Sequence, residues 1–462
     1  MTTVRPSLAE RYRDSAGKGL ATFRNSRNFR DSAGNAIFSV AEYIAQPLSM
    51  LVAAPFLVHK LGLPQYGIWM LASAILGSMG ILSSGFGDAT VKYVSTYRGR
   101  NDALGIERTI RATLTINASL GALFGLFVWI TSAYAVDHVF RIETQFHLAS
   151  IWAIRVSAVI VLVRSVESVF VSTLRAFERY GPPVKLNVFL RSIVVVSAVV
   201  LAGIGMGVVA IMVATLFWSV IVVVLQAVAV RRVIGPVNPL PTFKRESLTE
   251  VFSFGCFSWL QALAGVVFSY ADRFLIASML GTAPVAIYVL CVQVAQPIHG
   301  LCAAAFNFVF PHISSRHEAG EIDGPLRVFR LASLISLALS LVFALPLVLF
   351  GNPLLAFWMG RQVAQEGHVV LALLAVAYAL IALNTVPHYA LLAFGRVRLV
   401  AGLNLGSGLL LVVLIAVLVP FFGLIGAALG RIGYSILLVV PSLVASRKAF
   451  ESRAQLATAE IS

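Results

Sequence analysis

Residues Ser192 to Val230 read SIVVVSAVVLAGIGMGVVAIMVATLFWSVIVVVLQAVAV, 39 residues without a charged side chain. One helix crossing the hydrocarbon of a bilayer needs ~20 mostly apolar residues, so this stretch holds two crossings. Gly203-Ile204-Gly205-Met206-Gly207 in its middle supplies the reversal between them. Lipid offers no partner to a backbone N–H or C=O, so each crossing has to be a helix, and no alternating pattern of a membrane barrel competes. The fold class that follows is all-α and polytopic in the membrane.

The same test along the chain gives about twelve spans, near 36–58, 67–87, 109–131, 148–170, 186–204, 208–230, 252–276, 285–309, 328–350, 368–392, 399–420 and 424–446. A second tight hairpin turns at Pro420 to Gly423. The bulk composition, 59% hydrophobic against 12% charged, excludes soluble, secreted and disordered classes, because no soluble surface can be built from it.

A net charge of +15 raises the question of nucleic acid, and the positions of the cations answer it. Twenty-eight of the 35 Lys and Arg fall in alternate loops on one side: Arg5 to Arg30, Lys92 to Arg111, Arg175 to Arg191, Arg231 to Arg245, Arg316 to Arg330, Arg396 and Arg398, and Arg447 to Arg453. The opposite loops hold only Lys60, Arg141 and Arg361. That bias orients the chain with both termini in the cytoplasm, and membrane lipids rather than nucleic acid are the partners expected of the basic loops. Residues 1–35 read as a basic cytoplasmic arm without the apolar core of a signal peptide, and 447–462 as a cytoplasmic tail. Cys256, Cys291 and Cys302 have no CxxC spacing and read as small packing residues.

The first and seventh spans match at one fixed offset. Phe38-Ser39 corresponds to Phe257-Ser258, Leu61-Gly62 to Leu280-Gly281, and Ile68-Trp69 to Ile287-Tyr288. Tyr180-Gly181 before the fifth span echoes Phe394-Gly395 before the eleventh. The chain is therefore expected to hold two six-helix lobes, 36–240 and 241–446, as parallel repeats that rock about a central site.

Motifs for chemistry are missing. There is no GxxxxGK[ST] phosphate loop and no HExxH, and the longest external loop expected, 351–367, is too short for a catalytic domain. Neither a catalytic residue, a cofactor nor a metal is expected. The GxxxG pairs Gly121 and Gly125, Gly402 and Gly406, and Gly426 and Gly430 are expected to mark close helix packing.

What remains is a short set of ionisable residues inside spans, where an Arg costs ~2.5–3.5 kcal/mol on insertion scales and so marks a wet cavity or a partner. Arg155 and Arg164 lie nine residues apart in the fourth span, on opposite faces. Arg164 can pair with Glu167. Arg431 in the last span matches Arg155 in distance from its external start, and Arg273 follows Asp272 in the seventh. Arg155, Arg164, Arg273 and Arg431 are the candidate ligands for an anionic substrate, since a guanidinium binds phosphate bidentately. Glu42, Asp88, Lys92 and Asp272 are candidates for ion coupling or gating, and His299 for a buried neutral histidine or a proton relay.

Ala271-Asp272-Arg273-Phe274-Leu275-Ile276, followed by Leu280-Gly281 and Ala286-Ile287-Tyr288, resembles the middle of bacterial polysaccharide flippases. These form the polysaccharide-transporter branch of the multidrug, oligosaccharidyl-lipid and polysaccharide exporter superfamily. Gly85-Phe86-Gly87-Asp88 leading into Val91-Lys92-Tyr93-Val94 and Tyr97-Arg98-Gly99-Arg100-Asn101-Asp102 is similar to the same branch, and the likeness runs from about 36 to 446. The resemblance implies a bacterial inner-membrane flippase that moves an undecaprenyl-pyrophosphate-linked oligosaccharide outward through a cationic cavity. A polysaccharide polymerase and glycosyltransferases would be further partners. The long basic arm departs from the family pattern. Two other readings stand beside it: a cation-coupled drug exporter with Glu42 as its carboxylate, against which the arginine-rich spans argue, and a polymerase or ligase, for which the short loops offer little.

Overall fold

A computed structural model describes residues 28–78, 80–235, 242, 248–249, 251–252, 269–318 and 323–461, with backbone alone at 28–48, 80–85, 317–318, 323 and 453–461. Among the described residues every regular element is a helix. In chain order these are α1 (Asn28–Ser78), α2 (Gly80–Gly99), α3 (Ala103–Tyr134), α4 (His147–Ala176), α5 (Gly181–Gly203), α6 (Val208–Ile234), α7 (269–279), α8 (Thr282–Ala305) and α9 (Val309–Glu318). They continue as α10 (Asp323–Met359), α11 (Arg361–Leu383), α12 (Thr385–Ala393), α13 (Val397–Phe422) and α14 (Leu424–Ile461). Nine helical stretches among the described residues are long and apolar enough to cross a membrane, and the chain is a multi-pass membrane protein.

The hairpin of the deciding stretch forms where the glycines stand. α5 ends at Gly203, α6 begins at Val208, and Gly205 turns the chain at a φ of 83°. Gly62 interrupts α1 at φ 76°, ψ 160°, and Gly281 precedes α8 at φ 100°, ψ −175°. The two glycines of the matched Leu-Gly pairs thus share one left-handed backbone that a side chain would strain.

Two expectations need correction. The external loop at 351–367 does not exist: α10 continues through Gly351 and Pro353 to Met359, and α11 begins at Arg361, leaving Gly360 at φ 89° as the whole turn. Pro353 cannot donate to the carbonyl four residues back, so the helix bends at Phe350 (φ −115°, ψ 16°) and goes on. Of the three GxxxG pairs, Gly402 and Gly406 face open space, whereas a Cβ on Gly121 would collide with Ser165, one on Gly125 with the Ala158 carbonyl, and one on Gly426 with the Leu418 backbone. On Gly430 it would press on Ile415.

The chain divides into two compact units that cut across its linear order. The first comprises residues 1–50, 75–133 and 148–263, and the second 51–74, 134–147 and 264–462. In the first, Val94, Ile106, Ile110, Leu114 and Val169 form an apolar core where α2, α3 and α4 meet, and Asn117 donates to Ser168 Oγ at 3.0 Å across α3 and α4. Several hydroxyls in the spans close on their own helix, as Thr113 does on the Thr109 carbonyl at 2.9 Å.

In the second unit α8 and α11 are the inner helices, 67% and 61% buried over their apolar windows, and α10 and α13 the outer ones at 22% and 28%. The outer face of α10 carries Leu331, Leu334, Ile335, Leu341, Val342 and Leu345, an exposed apolar surface that only lipid can cover. Residues 51–74 belong to this unit: Trp358 Nε1 donates to the Leu51 carbonyl at 2.8 Å, and Gly67 lies so close to the Thr282 backbone that a Cβ there would collide with it.

Candidate functional site

Burying a charge in a helix bundle is costly unless it is paired and hydrogen-bonded, so the surroundings of each arginine decide what it is free to do. In the second unit Arg431 of α14 is 9% exposed. Its guanidinium lies 3.8 Å from Asp272 Oδ2 and donates to the Tyr378 hydroxyl at 3.0 Å. It also stacks over the rings of Tyr378 (5.4 Å) and Tyr434 (5.7 Å). Asp272 of α7 is 1% exposed; Tyr288 of α8 donates to its Oδ2 at 3.0 Å and the Arg273 backbone N–H to its Oδ1 at 2.8 Å. Four helices thus converge on a buried, charge-neutral cluster.

In the first unit Arg164 of α4 is 41% exposed and its Nε lies 3.5 Å from Glu167 Oε2. Glu167 is buried at 4% and also accepts from Gln226 Nε2 of α6 at 3.1 Å. The i,i+3 pair expected from the sequence therefore forms, with a third residue attached.

Arg155, on the other face of α4, has different company. Its Nε donates to Ser132 Oγ of α3 at 3.1 Å, and its guanidinium lies 5.3 Å from the Trp129 ring and 5.6 Å from the Trp152 ring. No carboxylate among the described residues pairs with it, and its two terminal nitrogens make no hydrogen bond to them. Arg155 and Arg431 lie in different compact units, each with its own partners.

Arg273 is the second of the four candidate arginines without an ion-pair partner among the described residues. Its guanidinium stacks 4.8 Å over Tyr270 and its buried Nε finds no hydrogen bond. Asp88 and Lys92 stand one turn apart on α2, both exposed, with Lys92 Nζ 5.3 Å over the Tyr93 ring. His299 lies in α8 beyond Pro297, with a buried Nδ1 that meets no partner among the described residues. The side chain of Glu42 lies outside the described residues.

The four arginines therefore fall into two classes: Arg164 and Arg431 are paired with a carboxylate, and among the described residues Arg155 and Arg273 are not. Sequence reading missed Tyr288, Tyr378, Gln226, Trp129 and Trp152, which complete these clusters. A signal was present for the tyrosines, because a phenol in an apolar span needs a hydrogen-bond partner once buried.

Residues 32–317 match a family described as "Polysaccharide biosynthesis protein". Over 418 residues the chain is 22% identical to a Shigella flexneri protein called "Putative O-antigen transporter", covering 89% of this chain and 96% of that one. Among solved structures it is similar to an inward-facing multidrug resistance MATE family transporter of the MOP superfamily, at 17% identity and a TM-score of 0.73, covering 91% of this chain and 99% of that one. It is also similar to the lipid II flippase MurJ in an inward closed conformation, at 11% identity and a TM-score of 0.74, covering 91% and 90%. At these identities the two structures establish the fold alone, an all-helical one shared along nearly the whole chain.

Proposed function

Because this chain belongs to the family of polysaccharide biosynthesis proteins, we propose that it is a flippase of the bacterial inner membrane. It carries a lipid-linked oligosaccharide, on undecaprenyl pyrophosphate, from the inner to the outer leaflet for assembly of a surface polysaccharide. The observation that carries this reading is the likeness to the protein called "Putative O-antigen transporter", which covers 89% of this chain and 96% of that one.

The physics of the task agrees with the molecule. Dragging a sugar head group through hydrocarbon strips each hydroxyl of water at several kcal/mol apiece, while a polyprenyl tail can stay in lipid. A protein that gives the head group a hydrated path by alternating access lowers that barrier without bond chemistry. Long apolar helices with short turns suit this task better than an enzyme's loops. Arg273, stacked on Tyr270 with no ion-pair partner among the described residues, and Arg164, 41% exposed beside its carboxylate, are the side chains assigned to the diphosphate. Arg431 is assigned to the structure of its unit instead. Asp272, already neutralised by Arg431, is a poor site for a mobile cation, which leaves Glu42 as the carboxylate of the drug-exporter alternative.

Deletion tests the proposal. Lipid-linked oligosaccharide should build up on the cytoplasmic leaflet of cells lacking the protein, and the polysaccharide polymerase and glycosyltransferases should remain competent. Single units stranded outside the membrane would indicate a polymerase instead, and drug sensitivity with normal surface polysaccharide would indicate an exporter.

A further inference from the structure

The exposed side of α4 carries Leu148, Trp152 and Val159, residues four or seven apart, and half-buried Arg155 is the one polar side chain set among them. The facing edge of α3 is equally apolar, with Ile130 and Phe127 exposed beside Trp129. An apolar surface like this suits acyl chains, and Arg155 stands at its edge. The same helices fix its depth. α4 begins on the external side at His147, eight residues before Arg155, which at 1.5 Å per residue is ~12 Å. Exposed tryptophans concentrate at that level of a bilayer, where the ring is apolar and the indole N–H is wet.

A guanidinium in this position needs an anion. Trp129 and Trp152 lie at right angles to each other with centroids 6.4 Å apart, and both rings approach the guanidinium. Ser132 Oγ accepts from the Arg155 Nε–H and so fixes the orientation of the fork. Among the described residues the two terminal nitrogens have no hydrogen-bond acceptor and no carboxylate approaches them. A fixed fork with two open donors, walled by indoles and set on an apolar stripe, is complementary to a phosphodiester whose acyl chains lie along the helix.

We propose that Arg155, Trp129, Trp152 and Ser132 form a binding site for the phosphate of a membrane phospholipid in the outer leaflet. The site goes beyond the flippase reading and does not require it. It gives this unit a lipid clamp on its outer surface, distinct from the residues assigned to substrate.

The test uses the full-length protein, delipidated in a neutral detergent and titrated with dioctanoyl phosphatidylglycerol or with dioctanoylglycerol, which has the same chains without the phosphate. Tryptophan emission is followed. The wild type should bind the phospholipid at least ~10-fold more tightly than the diglyceride. Arg155→Gln should abolish that preference, and Arg155→Lys should keep part of it, because a point charge lacks the fork. Should Arg155→Gln fail to fold, Trp152→Phe and Ser132→Ala, which spare the charge, are each expected to weaken the preference several-fold. An unchanged preference in Arg155→Gln, or in both milder variants, overturns the site. An equal response to inorganic phosphate overturns it as a lipid site, and displacement by a polyprenyl diphosphate at a hundredth of the phospholipid concentration reassigns it to the substrate. Because the readout is binding, a transport defect with normal phospholipid preference leaves the flippase reading standing and removes this one.

Discussion

Asp272 and Arg431 show what a buried charge does to its neighbours. Removing one partner leaves the other ionised, desolvated and unmatched, at a cost of about 3–5 kcal/mol. Asp272→Asn and Arg431→Met should each lower the unfolding midpoint of the purified protein steeply. The double variant should recover much of the loss, because no orphan charge remains; additive losses in a thermal-melt double-mutant cycle would show that the two do not act as a pair. Tyr288→Phe removes only one donor to Asp272 and should cost about 0.5–1.5 kcal/mol in the same assay. None of this partnership was legible in the sequence. Asp272-Arg273 invites a neighbour pair, yet Arg273 offers Asp272 only its backbone N–H, and the guanidinium comes from a helix far along the chain. Arg164 and Glu167 were legible because an i,i+3 spacing on a helix is a distance, whereas residues on different helices have no distance until the helices pack.

At the scale of the element, nine of the twelve spans that hydropathy marks are found among the described residues, with their ends displaced for a physical reason. A helix stops where its backbone hydrogen bonds stop, not where the hydrocarbon does. Gly351, Asn352, Pro353 and the polar run from Arg361 to His368 lower hydropathy enough to suggest a loop, yet they lie at the ends of α10 and α11, which extend past the apolar layer. Small-residue spacing has a similar ambiguity. Gly121 and Gly125 let α3 and α4 touch, and Gly402 and Gly406 touch nothing, because GxxxG records that a close approach is allowed and not that a neighbour is present. Leucine at Gly121 or Gly125 should therefore force α3 off α4 at about 1–3 kcal/mol, with a clear loss of folded protein in detergent size-exclusion profiles. Leucine at Gly402 or Gly406 should leave those profiles unchanged, and a comparable loss there would mean that the exposed face of α13 is covered.

For the whole molecule the driving force is the remaining question, and charge sets its size. A diphosphate moving outward across an inside-negative potential gains ~2.3 kcal/mol per charge per 100 mV. That is roughly a 50-fold change in the leaflet ratio for each charge carried. Asp272 is already matched by Arg431, and for the proposed flippase the potential is the energy source to test first. In proteoliposomes with the cytoplasmic side inward and a potassium diffusion potential, a fluorescent lipid-linked oligosaccharide should shift to the outer leaflet when the interior is negative and relax toward equal leaflets when valinomycin and matched potassium collapse the gradient. Arg164→Gln and Arg273→Gln should slow the approach without moving its end point, because they alter the path of the diphosphate and not its charge. An end point that ignores the potential but follows a sodium or proton gradient would mean that a mobile cation is carried as well. The carboxylate serving it would then have to be one other than Asp272, and Glu42 would be the first to replace.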